Sequence, residues 1–399
     1  MRAFGKLLLD ALASLKLTIL LLSLLMLLVV ACTLDQVSMG TLGAVNANIR
    51  SWFVWWHVPG TGFSVAVFPG GALVGALLLA NLVVAQLRRL QLTRAKAGIW
   101  LTHAGLILLI AGEFVTGLVQ TESRLEIVEG ETVDFIERPR EFELVLVDAS
   151  DPVREEVWKV FEGRLSEGWL VRLPASDLTL NIKRYLPNVG LRRREESDPP
   201  ALADHGVGAD LVVERRPPVT RDDMVNQPAV LVEPLSGLQS YGTWLVSTAL
   251  GAPQSFLHGG HSYRLEMRNR RETLPFSMTL KKFSHDVYPG TDIPKNFSSL
   301  VHLSNASTNE ERDVLISMNH PLRYLGKAYY QASFGRGDTL SVLQVVDNSG
   351  WLIPYISCVL VTLGLLVHFS VGLERGLRRS RRTAPAVAPK PEASVELGV

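Results

Sequence analysis

Two histidines lie inside long apolar runs of this chain, where an imidazole could bind a cofactor or pair with another polar group. His103 lies in the run from Gly98 to Val119, and His368 lies in the run from Trp351 to Leu373. An ionisable side chain is costly in hydrocarbon, so it persists there where it meets a partner, a cofactor or water. The ordinary alternative for both histidines is a hydrogen bond to a neighbouring backbone or side-chain group.

Small residues lie at helical spacing beside both histidines. In the first run they are Gly98, Thr102, Gly105, Gly112 and Thr116, and in the second they are Gly364 and Gly372. Such residues allow another helix to approach closely, and because His103 flanks its stripe, we predict it at a helix–helix contact. A porphyrin is a flat apolar plate that needs room beside its axial ligand, and glycines supply that room.

Four apolar runs are long enough to cross about 30 Å of hydrocarbon as helices. They are residues 17–33, 65–87, 98–119 and 351–373. Basic residues concentrate on one side of these runs, namely Arg2, Lys6, Lys16, Arg88, Arg89, Arg94, Lys96, Arg375, Arg378, Arg379, Arg381 and Arg382. By the positive-inside rule, this is a multi-pass protein of the cytoplasmic (inner) membrane with both termini cytoplasmic. Each histidine is five residues from the inner end of its run, so we predict both at about 7–8 Å below the inner surface.

Between residues 120 and 350 the pattern changes to an alternation of apolar and polar residues. Short alternating stretches between turn formers are typical of an antiparallel sandwich or barrel-like domain. Among the predicted strands, Tyr263–Met267 and Ser277–Phe283 are separate, and the charged stretch Arg192–Pro218 is a mobile excursion. The predicted fold is therefore a mixed membrane protein with four transmembrane helices and a large β-rich domain. Its regions are a membrane region at 1–119, an extracytoplasmic domain at 120–350, a fourth helix at 351–373 and a basic, disordered cytoplasmic tail at 374–399.

Several functional classes are not indicated by the sequence. The net charge of +1 gives no sign of nucleic-acid binding. His258 and His261 lie in a flexible HGGH turn without an evident third ligand, so no metal site is predicted there. The external segment shows no catalytic triad, phosphate loop or dinucleotide motif, and it contains no cysteine. The chain alone is therefore expected to be non-catalytic.

Two segments of the N-terminal region allow more than one interpretation. The aromatic stretch SWFVWWHVPG (Ser51–Gly60) is interpreted as an interfacial belt at the membrane surface, and the alternative is a shelf for a cofactor. Cys32 follows the residues VVA, which resemble a lipoprotein processing site. Processing there would remove the first helix, but the segment before it is long and contains Asp10, unlike a compact signal peptide.

Long strings of the chain, in their order, resemble one family. They include LASLKLTILLLSLL, GIWLTHAGLILLIAGEFVTG, LPFSMTLKKFSHDVYPGTDIPKNFSSLVHL, ISMNHPLRYLGKAYYQASF, SVLQVVDNSGWLIPYISC and GLLVHF. These strings are similar to the ResB family, the membrane component of System II cytochrome c biogenesis. The likeness extends from about Leu12 to Phe369.

The resemblance implies a function. ResB-like proteins act with a ResC/CcsA-like membrane partner to move haem across the membrane and attach it to apocytochrome c. The resemblance implies that His103, in WLTHAG, is an axial ligand of a transiently bound haem b. It makes His368, in LLVHF, a candidate ligand or entry-site residue. No metal other than haem iron is implied, and the tryptophan-rich haem motif of the partner is absent here.

Two other functions remain open at this point. The chain could be a membrane-anchored assembly scaffold without a cofactor of its own. It could also be a b-type haem electron carrier in which His103 and His368 clamp one haem permanently, although such carriers usually hold more than one transmembrane histidine pair.

Overall fold

The computed structural model describes residues 2–58, 60–88, 93–151, 154–174, 176–219, 221, 224–291 and 294–383. The chain divides into two compact units. The helical unit comprises Met1–Val30, Ile49–Val119 and Ser349–Val399, and the β unit comprises Ala31–Asn48 and Gln120–Asn348. Each unit is built on a different principle of packing.

Five α-helices occur in the described part of the chain. They are α1 (Arg2–Leu12), α2 (Leu15–Ala44), α3 (Gly71–Arg88), α4 (Ala97–Val119) and α5 (Ile353–Thr383). Within the described ranges, four helical segments are long and apolar enough to cross a membrane. These segments are Leu15–Ile49, Gly71–Arg88, Arg94–Val119 and Ile353–Arg379. The prediction of four membrane helices is confirmed.

The ends of three predicted spans differ from the observed helices. α2 continues beyond residue 33 to a kink at Gly40, whose φ is 72°, and a π-helical turn follows over Val45–Ile49. α5 continues ten residues beyond the predicted span, with an ion pair between Glu374 and Arg378 on consecutive turns. The start of the predicted disordered tail is therefore helical, and residues 384–399 lie outside the described residues, as does Arg89.

The start of the second apolar run forms a strand rather than a helix. Strand β1 (Phe53–His57) pairs with strand β2 (Ser64–Pro69) in an antiparallel hairpin that contains the aromatic stretch. α3 begins at Gly71, and the preceding residue is held to the hairpin by a 2.9 Å hydrogen bond from the Gly70 N–H to the Trp52 carbonyl oxygen. The hairpin presents exposed aromatic side chains, as a membrane-interface belt would.

Strands make up most of the β unit. They are β3 (Thr121–Val128), β4 (Thr132–Asp148), β5 (Glu156–Phe161), β6 (Leu170–Arg172), β7 (Leu178–Leu186), β8 (Val189–Arg193), β9 (Leu211–Arg215), β10 (Ala229–Ser236), β11 (Gln239–Ser240), β12 (Trp244–Ser247), β13 (Gln254–His258), β14 (His261–Val287), β15 (Pro294–Asn305), β16 (Glu310–Ser317), β17 (Leu322–Tyr324), β18 (Lys327–Gly335) and β19 (Leu340–Asp347).

The largest sheet of the β unit has ten strands and nearly closes into a barrel. Its order is β16-β15-β14-β4-β3-β19-β18-β17, and β13 and β5 add to β14 and β4. A second sheet has the order β11-β10-β7-β6 with β12 on β10, and β8 pairs with β9 in a separate hairpin. All the registered pairs are antiparallel. The predicted β-rich, barrel-like domain is confirmed.

Two long strands connect two hydrophobic cores in this unit. The first half of β4 contributes Val133 and Ile136 to the core of the barrel-like sheet, and the second half of β14 contributes Phe276 and Met278 to the same core. The other halves contribute to a second core, which also contains the buried side chains of β7 and β10. Each strand therefore belongs to both cores.

β14 corrects the prediction of two separate strands. It runs without interruption through the charged segment and Pro275, and its pairing with β4 shifts between Thr273 and Met278. Proline has no N–H to donate, and a local irregularity accommodates it. The predicted excursion at Arg192–Pro218 is also wrong in part, since β8 and β9 form a regular hairpin there.

Candidate functional site

α4 and α5 contact each other through glycines at three levels. A Cβ on Gly98 would lie 2.7 Å from the Cα of His368 and 2.6 Å from the carbonyl oxygen of Gly364. At the next level, a Cβ on Gly105 would lie 2.9 Å from the carbonyl oxygen of Ser357. Gly112 packs against Ile353 at the far end. The predicted close helix approach is confirmed, and the neighbouring helix is α5 of the same chain.

The ring of His103 is held in a defined state by the backbone of its own helix. Its Nδ1 lies 2.7 Å from the carbonyl oxygen of Ile99, one turn earlier. Because a carbonyl oxygen only accepts, Nδ1 carries the proton and donates it. In the neutral ring, the lone pair of Nε2 is then available to a ligand. Metal-binding histidines commonly have this arrangement, in which the second ring nitrogen donates to a backbone carbonyl.

His103 does not lie on the face of α4 that contacts α5. Five residues at 3.6 residues per turn place it about 140° around the helix from Gly98. It shares a face with Phe114, whose ring lies 3.4 Å from the Cβ position of Gly75 in α3. His103 therefore lies on the side of α4 that carries Phe114, and the prediction that it lies at the helix contact beside the glycine stripe is wrong. Its side chain is half-buried there, beside the partly exposed Ile99 and Leu106.

Gln86 of α3 is a polar residue within the second apolar run. Its Nε2 is buried and has no hydrogen-bond partner within the described part of the chain. Gln86 follows Gly75 by eleven residues, and His103 precedes Phe114 by eleven residues. Eleven residues are about three helical turns, so in this antiparallel pair Gln86 and His103 are expected on facing sides at about the same level. The sequence signal for Gln86 was an amide within an apolar run.

His368 lies on α5, away from His103. Its ring is exposed, packs edge-on against Phe369 at 5.7 Å, and borders a shallow groove along α5 that includes Gly372. Its backbone is level with Gly98, so His103 is about 7.5 Å further along the helix pair. The prediction of equal depth is wrong because α5 does not end at Leu373. The two imidazoles therefore lie at different levels and on different faces.

A second polar group, Asn81, contacts the break between α1 and α2. Asn81 of α3 is 1% exposed, and its Nδ2 donates to the carbonyl oxygens of Leu12 and Ser14, where α1 ends and α2 begins. Its Oδ1 accepts a 2.7 Å hydrogen bond from the Thr18 hydroxyl. The first bond satisfies the Leu12 carbonyl at the break between the helices, and the second adds to the bonds that the Ser14 carbonyl accepts from Thr18. The sequence showed only a polar residue in this span.

Most of the remaining histidines with described contacts pair with carboxylates, whereas His320 lies 3.5 Å from the Ser317 hydroxyl oxygen. In the HGGH turn, His258 Nε2 lies 2.9 Å from Asp177 and His261 Nδ1 lies 2.8 Å from Asp148. Hydrogen bonds from Ser236 and His258 lower the pKa of Asp177 below its usual value. Among the described residues, no group of three or more histidine, cysteine or acidic side chains is arranged to hold a metal ion. The two histidines of the turn thus have partners within the protein.

Comparison with known proteins adds a finding on the β unit. Residues 229–346 match the model of the ResB-like family. The chain is also 33% identical over 93 residues to Protein NrfI of Wolinella succinogenes. That alignment covers 23% of this chain and 10% of NrfI, so the chain matches only about a tenth of that relative's length. The matched family segment lies within strands β10 to β19.

Proposed function

Because residues 229–346 match the model of the ResB-like family, we propose that the chain acts in cytochrome c biogenesis as a haem-handling membrane subunit. The family match supports a role in cytochrome c biogenesis, and the proposal adds how the chain acts in it. We propose that the chain helps move haem across the cytoplasmic membrane and deliver it for attachment to apocytochrome c. In this proposal a membrane partner of the ResC/CcsA type forms the rest of the complex.

One observation carries the proposal: His103 presents a free Nε2 from an apolar helix. The Nδ1 hydrogen bond to Ile99 fixes the ring and leaves Nε2 as a ligand for iron. The surrounding face of α4 is apolar, which suits a porphyrin plate and excludes water. Gln86, with its unpaired buried amide nitrogen on the facing helix, could donate to a polar edge of a bound group. The residues therefore fit a haem, which when bound would supply the iron and the vinyl groups for attachment.

His368 is proposed as an entry-site residue rather than the second axial ligand. It lies nearer the inner end of the helix pair and is exposed beside a groove. An imidazole there could contact haem on its way from the cytoplasm. Its different level and face from His103 argue against a single-chain clamp, which weakens the alternative of a permanent b-type electron carrier.

The β unit is proposed to hold the partner and the apocytochrome. Both cysteines lie in helices, at Cys32 of α2 and Cys358 of α5, so the strands offer no thiol for chemistry on the substrate. Attachment of haem to two substrate thiols then needs groups from the partner. Expression of the chain alone should yield no holocytochrome c, and co-expression with a ResC/CcsA-like protein should restore it.

The test is the haem content of the complete complex with its partner. His103→Ala should remove most of the Soret absorption that the membrane helices contribute, with the protein still inserted. His103→Gly supplemented with imidazole should restore part of that absorption, because the free imidazole can replace the missing ligand. His368→Ala is the matched control, and it should slow loading while leaving the final haem content near the wild-type value.

Three outcomes would contradict this assignment. Wild-type haem content in His103→Ala would exclude the ligand role. Equal losses from both alanine variants would indicate a clamp within this chain. Absence of a Soret band in the wild-type complex would favour a cofactor-free scaffold, which the location of the family match in the β unit also permits.

The membrane orientation is part of the same proposal. With both termini in the cytoplasm, phosphatase fusions after Ser123 and Asp347 should be active, and fusions after Arg94 and Arg382 should be inactive. An active fusion after Arg94 would reverse the orientation and place His103 near the outer surface, where haem from the cytoplasm could not load directly.

A further inference from the structure

Three arginines of the β unit line one open cleft. Arg184 lies on β7, and Arg215 and Arg216 lie at the end of β9, with Tyr185, Asn188 and a single acidic residue, Glu167, also lining the cleft. We propose that this cleft binds a small anion that carries at least two oxyanion groups, either carboxylates or phosphates. The site is separate from the membrane histidines and does not depend on the haem proposal.

The buried side chain of Asn188 fixes the position of the arginines. Asn188 is 8% exposed, and its Nδ2 donates to the carbonyl oxygen of Pro217 at 2.7 Å. Its Oδ1 accepts from the backbone N–H of Gln227 at 3.0 Å, and its own carbonyl accepts from the N–H of Arg216 at 3.0 Å. The chain that follows β9 is therefore tied to the end of β7, which brings Arg216 close to Arg184.

Gly190 leaves the space that the Arg216 guanidinium occupies. A Cβ on Gly190 would lie 2.6 Å from both Cζ and Nε of Arg216, so the guanidinium lies directly against the strand backbone. The φ of Gly190 is not in the left-handed region, so its backbone conformation does not require glycine. Because Gly190 has no side chain, the Arg216 guanidinium can lie against the strand at this position.

The charges of the cleft are uncompensated, in contrast to those of the adjacent hairpin. Arg192 on β8 forms ion pairs with Asp198 at 2.6 Å and Glu214 at 3.0 Å. Within the described ranges, no ion pair involves Arg184, Arg215 or Arg216. Among the described residues that line the cleft, three are arginines and one is acidic, so these residues together carry an excess of about two positive charges.

Guanidinium groups determine the class of ligand. Each presents parallel N–H donors that match the two oxygens of a carboxylate or phosphate. Three such groups from two chain segments can together bind more oxygens than one carboxylate offers. A dicarboxylate, a tricarboxylate or a phosphate ester or diphosphate therefore fits better than a monoanion.

The experiment measures anion binding by the full-length protein in detergent micelles at constant ionic strength. Citrate is the carboxylate probe and pyrophosphate is the phosphate probe. At least one of them should bind saturably, and Arg216→Gln should weaken that binding by about tenfold or more. Arg193→Gln is the matched control, since Arg193 is an exposed arginine of the same hairpin that does not line the cleft, and it should change affinity less than about twofold.

Gly190→Ala tests the geometry without changing the charge. The alanine should displace the end of the flexible Arg216 side chain and weaken binding, while the thermal stability stays near that of the wild type. Preferential binding of citrate or of pyrophosphate would support the site and identify the source of its ligand. Absence of saturable binding by both probes would overturn the proposal, as would equal losses from Arg193→Gln and Arg216→Gln, which would indicate only diffuse surface charge.

Discussion

The helical unit and the β unit hold themselves together in opposite ways. In the β unit, large apolar side chains are buried in two cores that the long strands β4 and β14 share. In the helical unit, most large apolar side chains are exposed along the helices, and the closest contacts run through glycines. Burial of apolar area stabilises the first kind of structure. In lipid that gain is absent, so close backbone packing must replace it.

The family match and the proposed haem ligand lie in different units. The segment that matches the family model lies in the β unit, whereas the proposed haem ligand lies in α4. The match to the family model therefore depends on one region and the proposed chemistry on the other. Substitutions can separate them, because each unit should respond to a different change.

The largest effect is expected from Gly98→Val. The new side chain would clash with backbone atoms of Gly364 and His368, which cannot rotate away as a side chain can. We expect a loss of at least about 3 kcal/mol of stability and little folded protein in the membrane. Gly117→Val is the control on the same helix, where a Cβ meets nothing within 4 Å, and it should accumulate normally. Equal accumulation of the two variants would show that α4 and α5 do not depend on this contact.

One substitution made in both units compares them directly. Leu144→Ala removes a fully buried side chain of the β unit, 0% exposed, and should cost about 2–5 kcal/mol in thermal or denaturant unfolding. Leu20→Ala removes a side chain of α2 that is 55% exposed, and it should cost far less. Similar costs would contradict the contrast between buried cores and lipid-exposed helices.

An intermediate effect is expected at Asn81. Asn81→Leu would leave the carbonyl oxygen of Leu12 without its donor and would remove one of the donors to Ser14, whose carbonyl oxygen also accepts from Thr18, and should cost about 1–3 kcal/mol. Thr18→Val removes the hydroxyl that donates to Asn81 Oδ1 and also contacts the Ser14 carbonyl oxygen, but it leaves both bonds from Asn81 Nδ2 in place and should cost less. Thermal stability in detergent, compared among the three proteins, measures both. A stabilised Asn81→Leu variant would mean that apolar packing outweighs the lost hydrogen bonds.

Much of the architecture could be predicted from hydropathy and alternation, because both depend only on which residue types lie next to each other. The start of α4 and the strands around Leu125 and Val345 were predicted in this way. The full length of β14 was not, since its charged and proline-containing middle is held by pairing with β4. The relative depth of the histidines was wrong because apolar length does not fix where a helix such as α5 ends.

Prediction from the sequence was more limited for the candidate site than for the fold. The sequence identified His103 and its glycine neighbours, but it could not show which ring nitrogen donates to the backbone. The structure shows this through the 2.7 Å distance from Nδ1 to the Ile99 carbonyl oxygen. Nor could the sequence show which helix lies beside the face of α4 that carries His103 and Phe114, because that depends on the contact of Phe114 with Gly75 of α3.

The smallest effect is expected from pH in the β unit. Hydrogen bonds from Lys183 and Ser240 hold the pKa of Glu233 below its ordinary value of 4.5, against the opposing effect of burial. A carboxyl whose pKa is lowered on folding contributes stability above its unfolded pKa, and this contribution is lost as pH falls through the folded pKa. The β unit should therefore lose stability as the pH falls below about 4.5.

Glu233→Gln tests this contribution because it removes the 2.8 Å ion pair with Lys183 and the titration together. Since Lys183 is largely exposed, the variant should lose less than about 1 kcal/mol at neutral pH. Its stability should also fall less steeply than that of the wild type as the pH drops below 4.5, as measured by denaturant unfolding. The control Glu126→Gln replaces an exposed carboxylate of β3 and should leave the slope unchanged. A wild-type slope in Glu233→Gln would assign the acid sensitivity to other carboxylates, of which Asp177 beside His258 is the next to test.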